Sequence, residues 1–139
     1  MNQPKLLSIT QSVMRIAIGF LFWSHGAQKF LGWFGGSGPD GGSAELASAL
    51  GIAGVLEFSG GLLMMAGFLT RPVAFILSGE MAVAYFWRHV PQGGFWPWDN
   101  GGERAALFCF VFLFLSVAGA GALSVDAWRR RRAQRVTAA

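Results

Sequence analysis

Apolar residues fall along the chain in four long blocks, separated by short stretches rich in glycine, proline and polar side chains. A helix needs roughly 20 such residues to cross the hydrocarbon of a bilayer, and the blocks predict crossings over about residues 6–33, 50–69, 72–90 and 103–123. Local chemistry sets the boundaries. Pro72, after Thr70 and Arg71, suits a first helical turn, and Asp99 or Asn100, ahead of Gly101 and Gly102, is placed to cap the fourth helix. Lys5 ahead of an apolar run also resembles a cleavable signal. Arg15 interrupts that run, the run continues to Phe34 and no small-x-small site closes it, so the segment is read as a span. The expected fold is all-α: an integral membrane four-helix bundle in one domain, with residues 124–139 as a basic tail.

Composition agrees with this pattern. Of 139 residues 53% are hydrophobic and 13% charged, outside the balance of a soluble domain, and four spans leave no room for a second domain. Cys109 is the only cysteine, which excludes a self-contained dithiol oxidoreductase and points to inert packing. Much of the net charge of +4 sits in Arg129, Arg130, Arg131, Arg132 and Arg135 beside the last apolar block, where a basic run anchors topology and no nucleic-acid partner is implied. Lys5, Arg15, Arg71 and those five arginines fall on one side, against Lys29, Arg88 and Arg104 on the other, a split of eight to three. The richer side is cytoplasmic, so both termini are expected there. Phe95, Trp96 and Trp98 in the outer connection suit the headgroup layer.

In lipid, close approach of backbones replaces hydrophobic burial as the packing force. Gly19, Gly26, Gly54, Gly60, Gly61, Gly67, Gly79, Gly119 and Gly121 therefore mark expected helix contacts.

Ionisable side chains in hydrocarbon are costly, about 3 kcal/mol each on insertion scales, and are functional candidates by default. At 1.5 Å of rise per residue, Lys29 lies about 7 Å, His25 about 13 Å, Glu57 about 10 Å, Glu80 about 15 Å and Arg88 about 3 Å below the outer surface. His25, Gln28 and Lys29 share one face of the first helix. The economical arrangement pairs Lys29 with Glu57 and hydrogen-bonds His25 to Glu80, with Arg88 and Glu103 closing the outer mouth. The bland alternative is that these pairs only fix helix register. Arg15, in the inner half, is expected to snorkel to the inner surface, or else to meet Asp126.

Arg15, the string His25-Gly26-Ala27-Gln28-Lys29-Phe30-Leu31-Gly32, Glu57 with Gly60 and Gly61, Gly67, Thr70-Arg71, Glu80-Met81, Ala84, Gly102-Glu103, and Gly119-Ala120-Gly121 leading to Ser124-Val125-Asp126 occur in order along nearly the whole chain. In these residues the chain resembles the DoxX family. The resemblance implies a multi-pass protein of the bacterial inner membrane, similar to the small subunit of thiosulfate:quinone oxidoreductase. It makes Arg15, His25, Gln28, Lys29, Glu57, Glu80 and Glu103 candidates for a quinone-facing or partner-facing site, with no metal.

Three functions compete on this reading. The first is an accessory subunit of membrane redox metabolism: a quinone as cofactor, walls from Phe22, Trp23, Phe58 and Phe86, His25 and Glu80 as catalytic candidates moving protons, and electrons supplied by a redox protein partner. A haem between His25 and His89 is disfavoured by a level difference near 11 Å. The second is a small proton-coupled transporter built on Glu80 near the midplane, although the charge bias speaks against a dual-topology exporter. The third is a scaffold without chemistry, docking a partner or further copies of itself as a homo-oligomer.

Overall fold

The computed structural model describes residues 2–137, the side chain of Pro39 apart, and among them it is all-helical with no strand. Helix α1 spans Gln3–Leu31, α2 Ala49–Ala66, α3 Thr70–Ala84, α4 Val90–Gly93, α5 Pro97–Asn100, α6 Glu103–Ala118 and α7 Val125–Thr137. Helices α1 and α2 are each long and apolar enough to cross a bilayer. Pro4 sits in the first turn of α1, and Gly32 ends it in the left-handed conformation, its N–H bonded to Ala27 O. Ser48 caps α2, accepting from Gly51 N at 3.0 Å.

Helix α3 runs without a break through a π-helical turn, Tyr85–His89, into α4. Pro91 explains the turn. It has no N–H to offer and its ring crowds the carbonyl of Trp87 four residues earlier, so the ladder widens by one residue. The last apolar helix is shorter than its apolar block. It stops at Ala118, ahead of the expected 123, because Gly119 and Gly121 take φ of +87° and +78° and turn the chain. Neither Asp99 nor Asn100 caps α6; Gly102 occupies the cap position, and Asn100 Oδ1 accepts from Gly102 N at 2.7 Å. The basic tail is largely helical, as α7.

Two close-packed pairs make up the body: α1 with α2, and α3 with α6. A methyl group added at Gly26 would run into the Phe58 amide, one at Gly54 would lie 2.8 Å from Lys29 Cβ, and one at Gly61 would lie 2.6 Å from Trp23 N. The glycines are therefore what lets the α1 and α2 backbones touch. Gly79 differs from expectation, since it faces open space with nothing within 4 Å of an added methyl. The pairs meet at Phe22, whose ring lies edge-on to Phe108 at 5.2 Å and Phe112 at 4.8 Å, above a core that includes Met64, Leu77 and Leu115. Outward faces carry large exposed apolar side chains, among them Leu21, Phe75, Ile76, Phe110 and Phe114, far beyond the scattered ones of a soluble surface.

Candidate functional site

Polar side chains gather at two levels of this body. At one end, Arg15 is completely buried. Its Nε donates to Ala120 O at 2.8 Å, Nη1 to Met65 O at 2.7 Å and also to Met64 O, and Nη2 to Leu123 O at 2.6 Å. The side chain thus does not snorkel. The early stop of α6 brings the carbonyls of Ala120 and Leu123 to meet it, and the C-terminal turn of α2 supplies those of Met64, which also accepts from Gly67 N at 3.1 Å, and Met65. Ser12 Oγ accepts from Leu123 N at 3.0 Å and donates to Ser8 O at 2.8 Å, and Gln11 Nε2 donates to Gly119 O at 2.6 Å.

Asp126 completes this end. Its carboxylate accepts from Leu69 N at 3.0 Å and Thr70 N at 2.9 Å, capping α3 from a distant part of the chain, while its own N–H donates to Gly67 O at 3.0 Å. Leu69, at φ +49°, holds a left-handed conformation that this contact stabilises. Partial burial pushes the carboxyl up, but the Thr70 and Leu69 amides and the charge of Arg130 outweigh it and hold the group below its ordinary value.

The second level lies in the half of the bundle that carries His25, Lys29, Glu57 and Glu80. Lys29 Nζ donates to Glu57 Oε1, the ion pair that matching depths predict; Glu57 is 2% exposed. Glu57 Oε2 and both carboxylate oxygens of Glu80 are buried with no hydrogen-bond partner, and so is Trp23 Nε1. Glu80 nevertheless lies close enough to Glu57 and Lys29 to feel their charges. The hydrogen bond expected between His25 and Glu80 does not form. Depth along a helix says nothing of rotation about it, and His25 points instead towards α6, edge-on to Phe108 at 6.1 Å and within reach of the Arg104 charge. Arg104 enters the sequence reading only through the charge bias, because at a helix start a charge looks ordinary. Arg88 and Glu103 are exposed, and among the described residues Lys29–Glu57 is the one ion pair, so they close no mouth.

Beside this cluster a shallow groove of about 290 Å³ is lined by Phe20, Ser24, His25, Gln28 and Phe34. Gln28 Nε2 makes only a long bond, 3.5 Å, to Phe34 O, and the Ser24 hydroxyl is spent on Leu21 O at 2.7 Å. The expected walls are elsewhere: Phe22 is core, Trp23 and Phe58 pack on each other at 5.7 Å, and Phe86 is exposed. Near the same end, Tyr85 OH donates to Phe95 O, Asn100 Nδ2 donates to Gly94 O at 2.8 Å, and His89 Nδ1 lies 3.2 Å from Asn100 O. The π-helical turn therefore fixes the connection before α6, and sequence reasoning missed this network because it depends on an irregular turn.

No solved structure matches the chain. A protein of Haemophilus influenzae, described only as uncharacterized, is 43% identical over 131 residues, covering 90% of this chain and 94% of its own length. The DoxX family model matches residues 10–90, which include Arg15, the His25 to Gly32 string, Glu57 and Glu80. The chain belongs to the DoxX family.

Proposed function

We propose that this is a four-pass protein of the bacterial inner membrane, with both termini cytoplasmic, acting as a quinone-facing accessory subunit of membrane redox metabolism. Two helices of spanning length and the apolar outward faces of α3 and α6 support the membrane placement. The basic bias of the ends and of the α2–α3 turn supports the orientation.

The observation that carries the site is the carboxylate of Glu80, buried beside the Lys29–Glu57 pair with neither oxygen bonded. A buried carboxyl without a partner is expensive unless it exchanges a proton or meets a ligand. The groove that His25 lines, of which Glu80 is not a wall, suits a quinone ring: Phe20 and Phe34 offer flat apolar faces, and His25 and Gln28 can donate to its carbonyl oxygens. A quinone supplies two-electron, two-proton chemistry when bound. This chain's residues orient the ring and pass protons, while a partner supplies electrons. Purified protein in mild detergent is expected to bind a ubiquinone or menaquinone analogue, more weakly after His25→Asn. Absence of binding, with no redox partner co-isolating, would reject the reading.

The contact of α1 with α2 favours a second reading, a scaffold in which Lys29–Glu57 only sets register. Substitutions at His25 and Glu80 would then lower abundance alone, leaving binding per folded molecule intact.

A further inference from the structure

Helix α7 carries a run of arginines that meets no acidic partner at ion-pair distance among the described residues. It is fixed at its start by Asp126, through the Leu69 and Thr70 amides and Gly67 O, and it buries Ala127 against the body. Asp126 is thereby occupied, and among the described residues none of Arg129, Arg130, Arg131, Arg132 and Arg135 forms an ion pair. The side turned away from Ala127 carries Trp128, Arg132 and Val136 at helical spacing, with Trp128 54% and Val136 73% exposed. Two guanidinium groups rest on aromatic rings: Arg129 lies 5.4 Å from the Phe68 centroid and Arg132 5.5 Å from that of Trp128. Trp128, Arg129, Arg130, Arg132 and Val136 line a concavity of about 650 Å³ together with Asp126, whose carboxylate is already engaged by the Leu69 and Thr70 amides.

We propose that α7 is a docking surface for the headgroups of anionic phospholipids. Its charge complements their phosphates, and the exposed tryptophan and valine among the arginines match the amphipathic layer where headgroup meets acyl chain. A surface for nucleic acid would stack bases on Trp128 but would have no use for the exposed Val136, Leu69 and Leu123. Leu69 and Leu123, both exposed at the same end, continue the apolar stripe to the body of the molecule. Pinning by Asp126 holds the arginines at the end of the apolar helices, at the level of the headgroups. The proposal goes beyond the quinone reading and needs only that the protein is embedded in a bilayer.

The test is lipid retention by the full chain purified in mild detergent, read by native mass spectrometry after incubation with phosphatidylglycerol, cardiolipin or phosphatidylcholine. The native protein should retain the two anionic lipids and shed phosphatidylcholine, and added salt should weaken retention. Neutralising arginines should cost roughly fivefold each, so the R130Q/R131Q/R132Q variant should retain on the order of a hundredfold less. The R130K/R131K/R132K variant keeps the charge and should stay within a few-fold of the native protein; if the glutamine variant fails to accumulate, this variant and the salt series carry the test. Equal retention of phosphatidylcholine, retention indifferent to salt, or tighter binding of a single-stranded oligonucleotide than of phosphatidylglycerol would overturn the proposal. Quinone binding is read separately, so failure of that function leaves this result standing.

Discussion

The two polar levels of the molecule are built alike and finished differently. At the end near Asp126, each nitrogen of the Arg15 guanidinium meets a backbone carbonyl and both Asp126 oxygens meet backbone amides. At the other level, Lys29 and Glu57 pair, yet three carboxylate oxygens of Glu57 and Glu80 are buried and unbonded. A satisfied buried network rigidifies and specifies a fold, whereas an unsatisfied one is costly and persists where it serves chemistry. Thr70 Oγ1, buried without a partner, is the exception at the first level; the contrast is the ground on which we propose architecture for the first level and function for the second.

The largest expected effect is at Arg15. Replacing it with methionine removes the donor from four carbonyls, of which Met64 O alone keeps another, Gly67 N, and should cost about 4 kcal/mol, close to the whole margin of a small domain. Membrane accumulation and heat stability in detergent would show it. Normal levels of Arg15→Met would remove the architectural half of the comparison.

Next is Gly26→Ala, which drives a methyl group into the Phe58 backbone. Separating α1 from α2 should cost about 2 to 3 kcal/mol, measured as a lowered Tm. The Lys29–Glu57 pair spans the same interface, so quinone binding should fall with it.

Asp126→Asn should cost about 1 kcal/mol, the usual worth of a helix cap with its favourable charge. The pH dependence has a definite sign. The folded carboxyl ionises below its ordinary value, so its stabilisation is complete at neutral pH and is lost as pH falls from about 4 through the lowered folded value. The asparagine variant should lack that acid limb in a stability profile.

Much of the fold is legible in the sequence because hydropathy and helical rise are one-dimensional properties. They predict the helical blocks and the pairing of Lys29 with Glu57, two residues set at similar depths. They fail where the partner is backbone or where rotation decides. Arg15 is expected to snorkel, or else to meet Asp126, but its acceptors are carbonyls at the end of α2 and carbonyls exposed by the turn at Gly119–Gly121, a feature hidden inside an apolar run. His25 and Glu80 share a level and miss each other because their helices present them in different directions. Asp126, beyond the last span, reads as tail yet caps α3.

The smallest effect on stability is also the most decisive result. Glu80→Gln replaces a carboxyl that bonds to nothing, so stability should stay within about 1 kcal/mol of the native protein or rise. Measured on the same purified sample, binding of a quinone analogue should lose its pH dependence or disappear. A Glu80→Gln protein that is clearly destabilised, while each folded molecule binds the analogue as before, would show that the Glu80 level is architecture too and would contradict the account.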